Sequence, residues 1–281
     1  MRGRDGLHVD VHALESRGGE SRCEEPSSAS SGRRWTRRDF QYCANFCEEN
    51  TCLLLETLAK SAPGVPDRLL YAVFVSNALK AVPLYNQRTG MADEEDAGEE
   101  QEAEVSPRRR LILEGGGEEG GHPAAAQSPR GLVMWDYHVV GVQVVPGEPG
   151  GRCLVWDLET RNAVGLPTPV SSYLSATFRW GEHGWKIRDK YAPRFRVVPL
   201  ETMRRNFRSD RSHMIVQPTG EWASPPPPWD PLYGADSDSD SGTNLMSHFV
   251  DMDAPHGGHG VVLNSIPDLL VHLDALARPP A

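Results

Sequence analysis

The sequence predicts an α+β fold, built on a central and mostly antiparallel sheet. Three observations predict it. Runs rich in β-branched and aromatic residues, such as "LYAVFVSN" (70–77), "GLVMWDYHVVGVQVV" (131–145) and "FRVVPL" (195–200), read as strands. Amphipathic stretches at 46–60 and 265–277 read as helices. A Gly-rich turn, "GEPGG" (147–151), joins two strand runs as a hairpin, which makes that pair antiparallel.

The elements follow in order. Residues 1–38 are rich in Gly, Ser, Arg and Glu and read as a disordered tail; the basic "RRWTRRDF" at its end is too short to suggest a nucleic-acid arm. A single catalytic-size domain spans 39–278. Its first helix covers 46–60, with Asn45 as N-cap and Glu48 as the capping-box partner. Leu54, Leu55, Leu58 and Ala59 give that helix one apolar face, and "SAPGVPD" ends it. The strand 70–77 is followed by "KAVPLYNQ" (80–87), expected to pair with it through a short turn.

Residues 91–130 are acidic, then Gly-rich, then Pro/Ala-rich, and are expected to be a disordered insertion. The strand 131–145 and the strand "RCLVWDLET" (152–160) come next, then a helix at "SSYLSATF" (171–178) and the strand 195–200. "LETMRRNF" (200–207) is a short helix, and "SPPPPWDP" (224–231) is polyproline-like. Residues 234–242 form an acidic loop, and "SIPDLLVHLDALA" (265–277) is the last helix.

Composition narrows the function classes. The net charge is −10, and residues 91–105 carry eight acids and no base. The remainder is nearly neutral, which argues against nucleic acid as a partner. No run approaches the ~18 apolar residues of a membrane span. The N-terminus has no apolar signal region, so the expected compartment is the cytosol and nucleus, with reduced thiols.

Three of the five cysteines, Cys43, Cys47 and Cys52, fall within ten residues. Their spacing is not that of common zinc sites, and "HGGH" (256–259) offers no matching pair of ligands. A nucleophile is the alternative. Cys47 lies in the first turn of the predicted helix, where unpaired amides and the macrodipole favour a thiolate. Glu48 and Glu49 work against that, so a base is required. His138, in "WDYHVV", is the candidate; strand alternation puts it on one face with Asp136. The strand alone favours a hydrogen-bonded core histidine. Asp157, on the next strand, could orient the ring, or be an ordinary strand-end carboxylate. Together, Cys at a helix start followed by His and Asp on successive strands is the chain order of papain-like and transglutaminase-like cores.

The segments "CEEN" (47–50), "YAVFVSN" (71–77), "WDYHVV" (135–140), "WDLET" (156–160), "RFRVV" (194–198), "NFRSDRSHM" (206–214) and "PPPPW" (225–229) occur in that order. In these the chain resembles the protein N-terminal glutamine amidohydrolase family. The resemblance implies a Cys–His–Asp triad of Cys47, His138 and Asp157 on an α–β–α sandwich related to transglutaminases. It implies a monomeric hydrolase of the N-degron pathway, without metal or organic cofactor. Its partners would be polypeptides with N-terminal glutamine, converted to glutamate with release of ammonia. Restriction to the N-terminus needs a carboxylate for the free α-ammonium, and Glu48 and Asp136 are the candidates by proximity. "SDRSHM" would line or buttress the site, and Asp210–Arg211 is expected to be a structural ion pair. Departures from the family pattern are the insertion and "LPTP" (166–169), set back by the extra "RNAVG". Two other readings stay open on residues alone: a transglutaminase-like or protease-like cysteine acyl transferase, and a non-enzymatic adaptor using the Pro-rich and acidic segments.

Overall fold

The computed structural model describes residues 35–61, 69–88, 132–146, 152–161, 166–179, 188–236, 242–254 and 258–278. The expectations for the tail before residue 35, the insertion 91–130, the turn 147–151 and the centre of the acidic loop lie outside them.

In chain order the elements are α1 (Cys47–Ser61), β1 (Leu70–Ser76), β2 (Val82–Leu84), β3 (Val133–Trp135), β4 (His138–Val145), β5 (Arg152–Trp156) and β6 (Thr168–Pro169). Then come α2 (Val170–Phe178), β7 (Arg194–Pro199), α3 (Leu200–Asn206), β8 (Ile215–Val216), β9 (Glu221–Trp222), a π-helical turn (Leu245–Val250), β10 (Val261–Leu263) and α4 (Ile266–Ala277). Six strands form one sheet in the order β10-β7-β1-β4-β5-β6, and every neighbouring pair is antiparallel. The predicted α+β class with a central antiparallel sheet is what forms.

All seven residues of β1 are buried. Leu70, Ala72 and Phe74 join one apolar cluster, and Tyr71, Val73 and Val75 join a second. That two-sided burial explains a continuous apolar run where a half-exposed strand would alternate. On the first face lie Leu54, Leu55 and Leu58 of α1, Met203 of α3, and Leu245 and Phe249 of the π-helical turn. On the second lie Tyr173, Leu174 and Phe178 of α2 and Ile266, Leu269 and Leu273 of α4. Each fully buried leucine contributes about 1.5–3 kcal/mol. Ser265 caps α4 by accepting from the Asp268 N–H.

α1 lies close on β4. A Cβ at Gly141 would stand 3.2 Å from methyls of both Leu54 and Leu55. The helix is also pinned by Thr51, whose hydroxyl donates to the Val139 carbonyl at 3.0 Å. β5 stops at Trp156, opposite Gly141, so the outer peptide edge of Val139 meets α1 instead of a strand.

Several expectations are corrected. β2 pairs with β3, not with β1. The reason is Asn77: its side-chain oxygen accepts from the N–H groups of Leu79 and Ala81, and its amide donates to the Ala81 carbonyl. This tight loop carries the chain off the sheet. The run 131–145 is not one strand but two, broken at Asp136–Tyr137. There the Tyr137 N–H goes to the Asp136 carboxylate and the Asp136 carbonyl to the Ser76 hydroxyl, so neither enters a ladder. Asn45 is not an N-cap: it sits in the left-handed region at φ 67 and donates to the Ser224 hydroxyl. Asn50 ties down the loop ahead of the helix, accepting from the Cys43 N–H at 2.9 Å and donating to the Cys43 carbonyl at 2.7 Å.

Arg211 does not pair with Asp210. Its guanidinium grips the Glu49 carboxylate with two 2.8 Å contacts and donates to the carbonyls of Pro227 and Trp229. Trp229 donates its indole N–H to the same carboxylate at 2.7 Å. The Pro-rich segment is therefore strapped to the start of α1 through one buried ion pair. Asp210 instead accepts from the Ser212 N–H.

Removing one partner of a buried pair strands the other charge, which costs about 3–5 kcal/mol. Arg211→Ala and Glu49→Ala should each lower unfolding free energy by that order in urea titrations. The double change Glu49→Leu with Arg211→Met should cost less than either alone.

Candidate active site

Cys47 opens α1 and is buried, with its side chain facing the first residues of β4. The Val139 N–H donates toward its sulfur. Val139 thus holds α1 at both ends of one peptide edge, thiol at the N–H and Thr51 at the carbonyl. His138 is the preceding residue and opens β4. Its side chain is 1% exposed, and its ring stacks on Trp135 with centroids 4.9 Å apart.

Asp157 follows the last residue of β5. Its Oδ1 meets His138 Nε2 at 3.0 Å and accepts the Glu159 N–H at 2.9 Å. Its Oδ2 accepts the Tyr173 hydroxyl at 2.9 Å and the Gln87 amide at 3.4 Å. Four donors thus hold one carboxylate. Burial alone would raise the Asp157 pKa, but His138 and these donors bring it below the usual carboxylate value. Burial alone would lower the His138 pKa, but the Asp157 charge and hydrogen bond raise it above the usual imidazole value. The two thus form a buried hydrogen-bonded pair, with Nε2 facing the carboxylate. Nδ1 has no hydrogen-bond partner.

A cavity of about 420 Å³ opens beside Cys47, and neither His138 nor Asp157 is among its walls. Cys47, Trp135, Asp136, Tyr137 and His213 are among its walls. A second hollow, of about 220 Å³ between α1 and α3, shares none of these residues.

The family model for N-terminal glutamine amidase matches residues 42–97 and 122–268, which include every residue just described. The chain belongs to the N-terminal glutamine amidase family. Relatives named protein N-terminal glutamine amidohydrolase include those of Drosophila grimshawi and Drosophila melanogaster, each 30% identical over 219 residues, or 78% of this chain and 82% of theirs. The protein of that name from Arabidopsis thaliana is 30% identical over 200 residues, 70% of each chain.

The amidase family resemblance marked Cys47, His138 and Asp157, and the structure brings the last two into direct contact. It sets the thiol against the peptide group beside the first. The electrostatics differ from expectation. Burial, with Glu48 next, pushes the Cys47 thiol well above its ordinary range; the Val139 N–H pulls it down only in part. A helix terminus is worth about 0.3–1 kcal/mol at an exposed site. Burying an anion costs several kcal/mol, so burial wins.

Asp136 and Glu48 were paired as candidates, but their surroundings are opposite. Asp136 is exposed at the rim, with its carboxylate on the Tyr137 N–H. Glu48 is fully buried in the first turn of α1. It accepts the Tyr137 hydroxyl at 3.0 Å, lies 3.7 Å from the Cys47 sulfur and 3.5 Å from His213 Nε2. Burial, the leading cause, raises its pKa to about 7. Sequence reasoning missed Tyr173 and Gln87, which sit far apart along the chain and carry no spacing signal, and gave Tyr137 no role although it lies within "WDYHVV". His213 was visible only as part of "SDRSHM". Cys43 donates to the Pro225 carbonyl, away from the cavity walls. Among the described residues no group of three or more His, Cys, Asp and Glu side chains is placed to hold a metal ion.

With the carboxylate removed, burial is opposed only by the smaller fields of Glu159 and Glu48. Asp157→Asn should drop the His138 pKa below the ordinary imidazole value, read from the pH dependence of its ring resonances by NMR. A ring that still titrates above that value would refute the assigned partner.

Proposed function

We propose that this chain hydrolyses the side-chain amide of glutamine at the N-terminus of polypeptides, giving glutamate and ammonia, as the names of its relatives state for them. In this reading the fold is the transglutaminase-like sandwich and the product feeds the N-degron pathway. The observation that carries it is the buried His138–Asp157 pair, set beside a cysteine at a helix start in a chain of this family.

Cys47 is the nucleophile. Its proton passes to His138 as sulfur bonds to the side-chain amide carbon, and Asp157 stabilises the resulting imidazolium. The tetrahedral intermediate collapses by breaking the C–N bond, and His138 protonates the departing nitrogen to give ammonia. A γ-thioester remains on Cys47. Water, deprotonated by His138, attacks that carbon; the C–S bond breaks and the γ-carboxylate leaves as glutamate. The thiol regains its proton from His138. The chain's own groups and water suffice for every step. The Val139 N–H beside the sulfur supports the reading, since it is a fixed donor where negative charge resides before attack.

Cys47→Ala should reduce ammonia release from a Gln-initiated peptide by about 10⁴-fold or more, while Cys43→Ala keeps most of it. Equal loss in both folded variants contradicts the assignment. Mass spectrometry of Gln-, Asn- and acetyl-Gln-initiated peptides should show conversion of the first alone. Incorporation of an added amine in place of water would favour the acyl-transferase reading.

A further inference from the structure

Three polar side chains near Cys47 take no part in that sequence of steps. Tyr137 Oη, His213 Nε2 and the Glu48 carboxylate lie within 3.0–3.5 Å of one another. Tyr137 and His213 are cavity walls, and Glu48 stands directly behind them. The Glu48 side chain is completely inaccessible, yet its Oε1 has no hydrogen-bond partner. The nearest basic group is His213, whose pKa burial lowers, so its ring is neutral near pH 7 and offers a lone pair. A buried carboxylate with an unfilled acceptor and no fixed cation is costly in an empty pocket. It is the arrangement expected where a cation arrives with the ligand.

Resting on the amidohydrolase reading, we propose that Tyr137, His213 and Glu48 form the socket for the substrate's α-ammonium group. The ammonium has three N–H donors. The hydroxyl oxygen and the ring nitrogen accept from it at the cavity wall, and Glu48 supplies the compensating charge. Asp136 is not this group: it is exposed, and its carboxylate already holds the Tyr137 N–H.

Two consequences follow from the 3.7 Å between Glu48 and the Cys47 sulfur. The α-nitrogen and the side-chain amide carbon of glutamine are only a few bonds apart, so a charge seated here leaves the amide within reach of sulfur. The incoming cation also cancels the Glu48 field that opposes a thiolate. A polypeptide without a free amino terminus thus fails to seat and fails to ionise the nucleophile.

The test uses the full-length chain with Cys47→Ala, which binds without turnover. Affinity is measured by calorimetry for a Gln-initiated tetrapeptide and for its counterpart bearing an α-hydroxyl in place of the α-amine. The amine should bind about tenfold or more tightly, as a charge-assisted contact requires. Adding Glu48→Gln should bring that preference close to unity while the hydroxyl peptide keeps its affinity. Tyr137→Phe, which deletes one oxygen, should lower the preference and serves where the glutamine variant does not fold. No preference in Cys47→Ala, or an undiminished preference in the folded variants, overturns the socket. Equal weakening of both peptides also overturns it, since that marks a merely structural role. Ammonia release by the unmodified chain is scored separately. Amine-selective binding without ammonia sinks the amidohydrolase reading and leaves the socket standing; ammonia with no selectivity does the reverse.

Discussion

The arrangement depends on one peptide edge, that of Val139. Its N–H faces the Cys47 sulfur and its carbonyl takes the Thr51 hydroxyl. These two contacts, one helical turn apart, fix both the depth and the rotation of α1 against β4. The absence of a side chain at Gly141 lets the helix settle there. Because His138 is the preceding residue of the same strand, the backbone that locates the thiol also locates the ring. Precision of this kind suits a site where small displacements are costly.

The interior near the site holds several ionisable groups, and three sets of them are handled in different ways. His138 and Asp157 pair through one hydrogen bond, and Tyr173, Gln87 and the Glu159 N–H fill the remaining acceptor capacity of the carboxylate. Glu49 and Arg211 do the same with two matched contacts, and Trp229 adds a third donor. Glu48 is handled differently, with no fixed cation beside it. The first two pairs give shape: one orients a ring, the other straps the Pro-rich segment across the helix start. The third leaves a polarised hollow. A single string, Cys47-Glu48-Glu49-Asn50, therefore supplies the sulfur, the uncompensated carboxylate, the strap anchor and the clamp on the Cys43 backbone.

Much of this was legible in the sequence. β1, α2, β7, α3 and α4 were readable because apolar periodicity and breaker residues agree there, and chain order and family motifs singled out Cys47, His138 and Asp157, of which the last two meet in the structure. What was not legible depends on side chains capturing backbone. Asn77 diverts β2 to a new partner, and the Asp136 carboxylate splits an apparently continuous strand. Asn45 looks like a cap until its left-handed backbone is seen, with Ser224 as its distant partner. The π-helical turn at Leu245–Val250 has no composition that separates it from an ordinary helix. The raised thiol pKa was hidden for a related reason: helix position can be read from sequence, but the depth of burial that outweighs it cannot.

The early end of β5 has a bearing on where this chain can change length. At Trp156 the strand gives way to Asp157, and the vacated flank of Val139 receives α1. Two more paired residues at that end would zip along β4, claim the amide and carbonyl now spent on Cys47 and Thr51, and expel the helix. Lengthening is thus forbidden at this mouth of the strand pair.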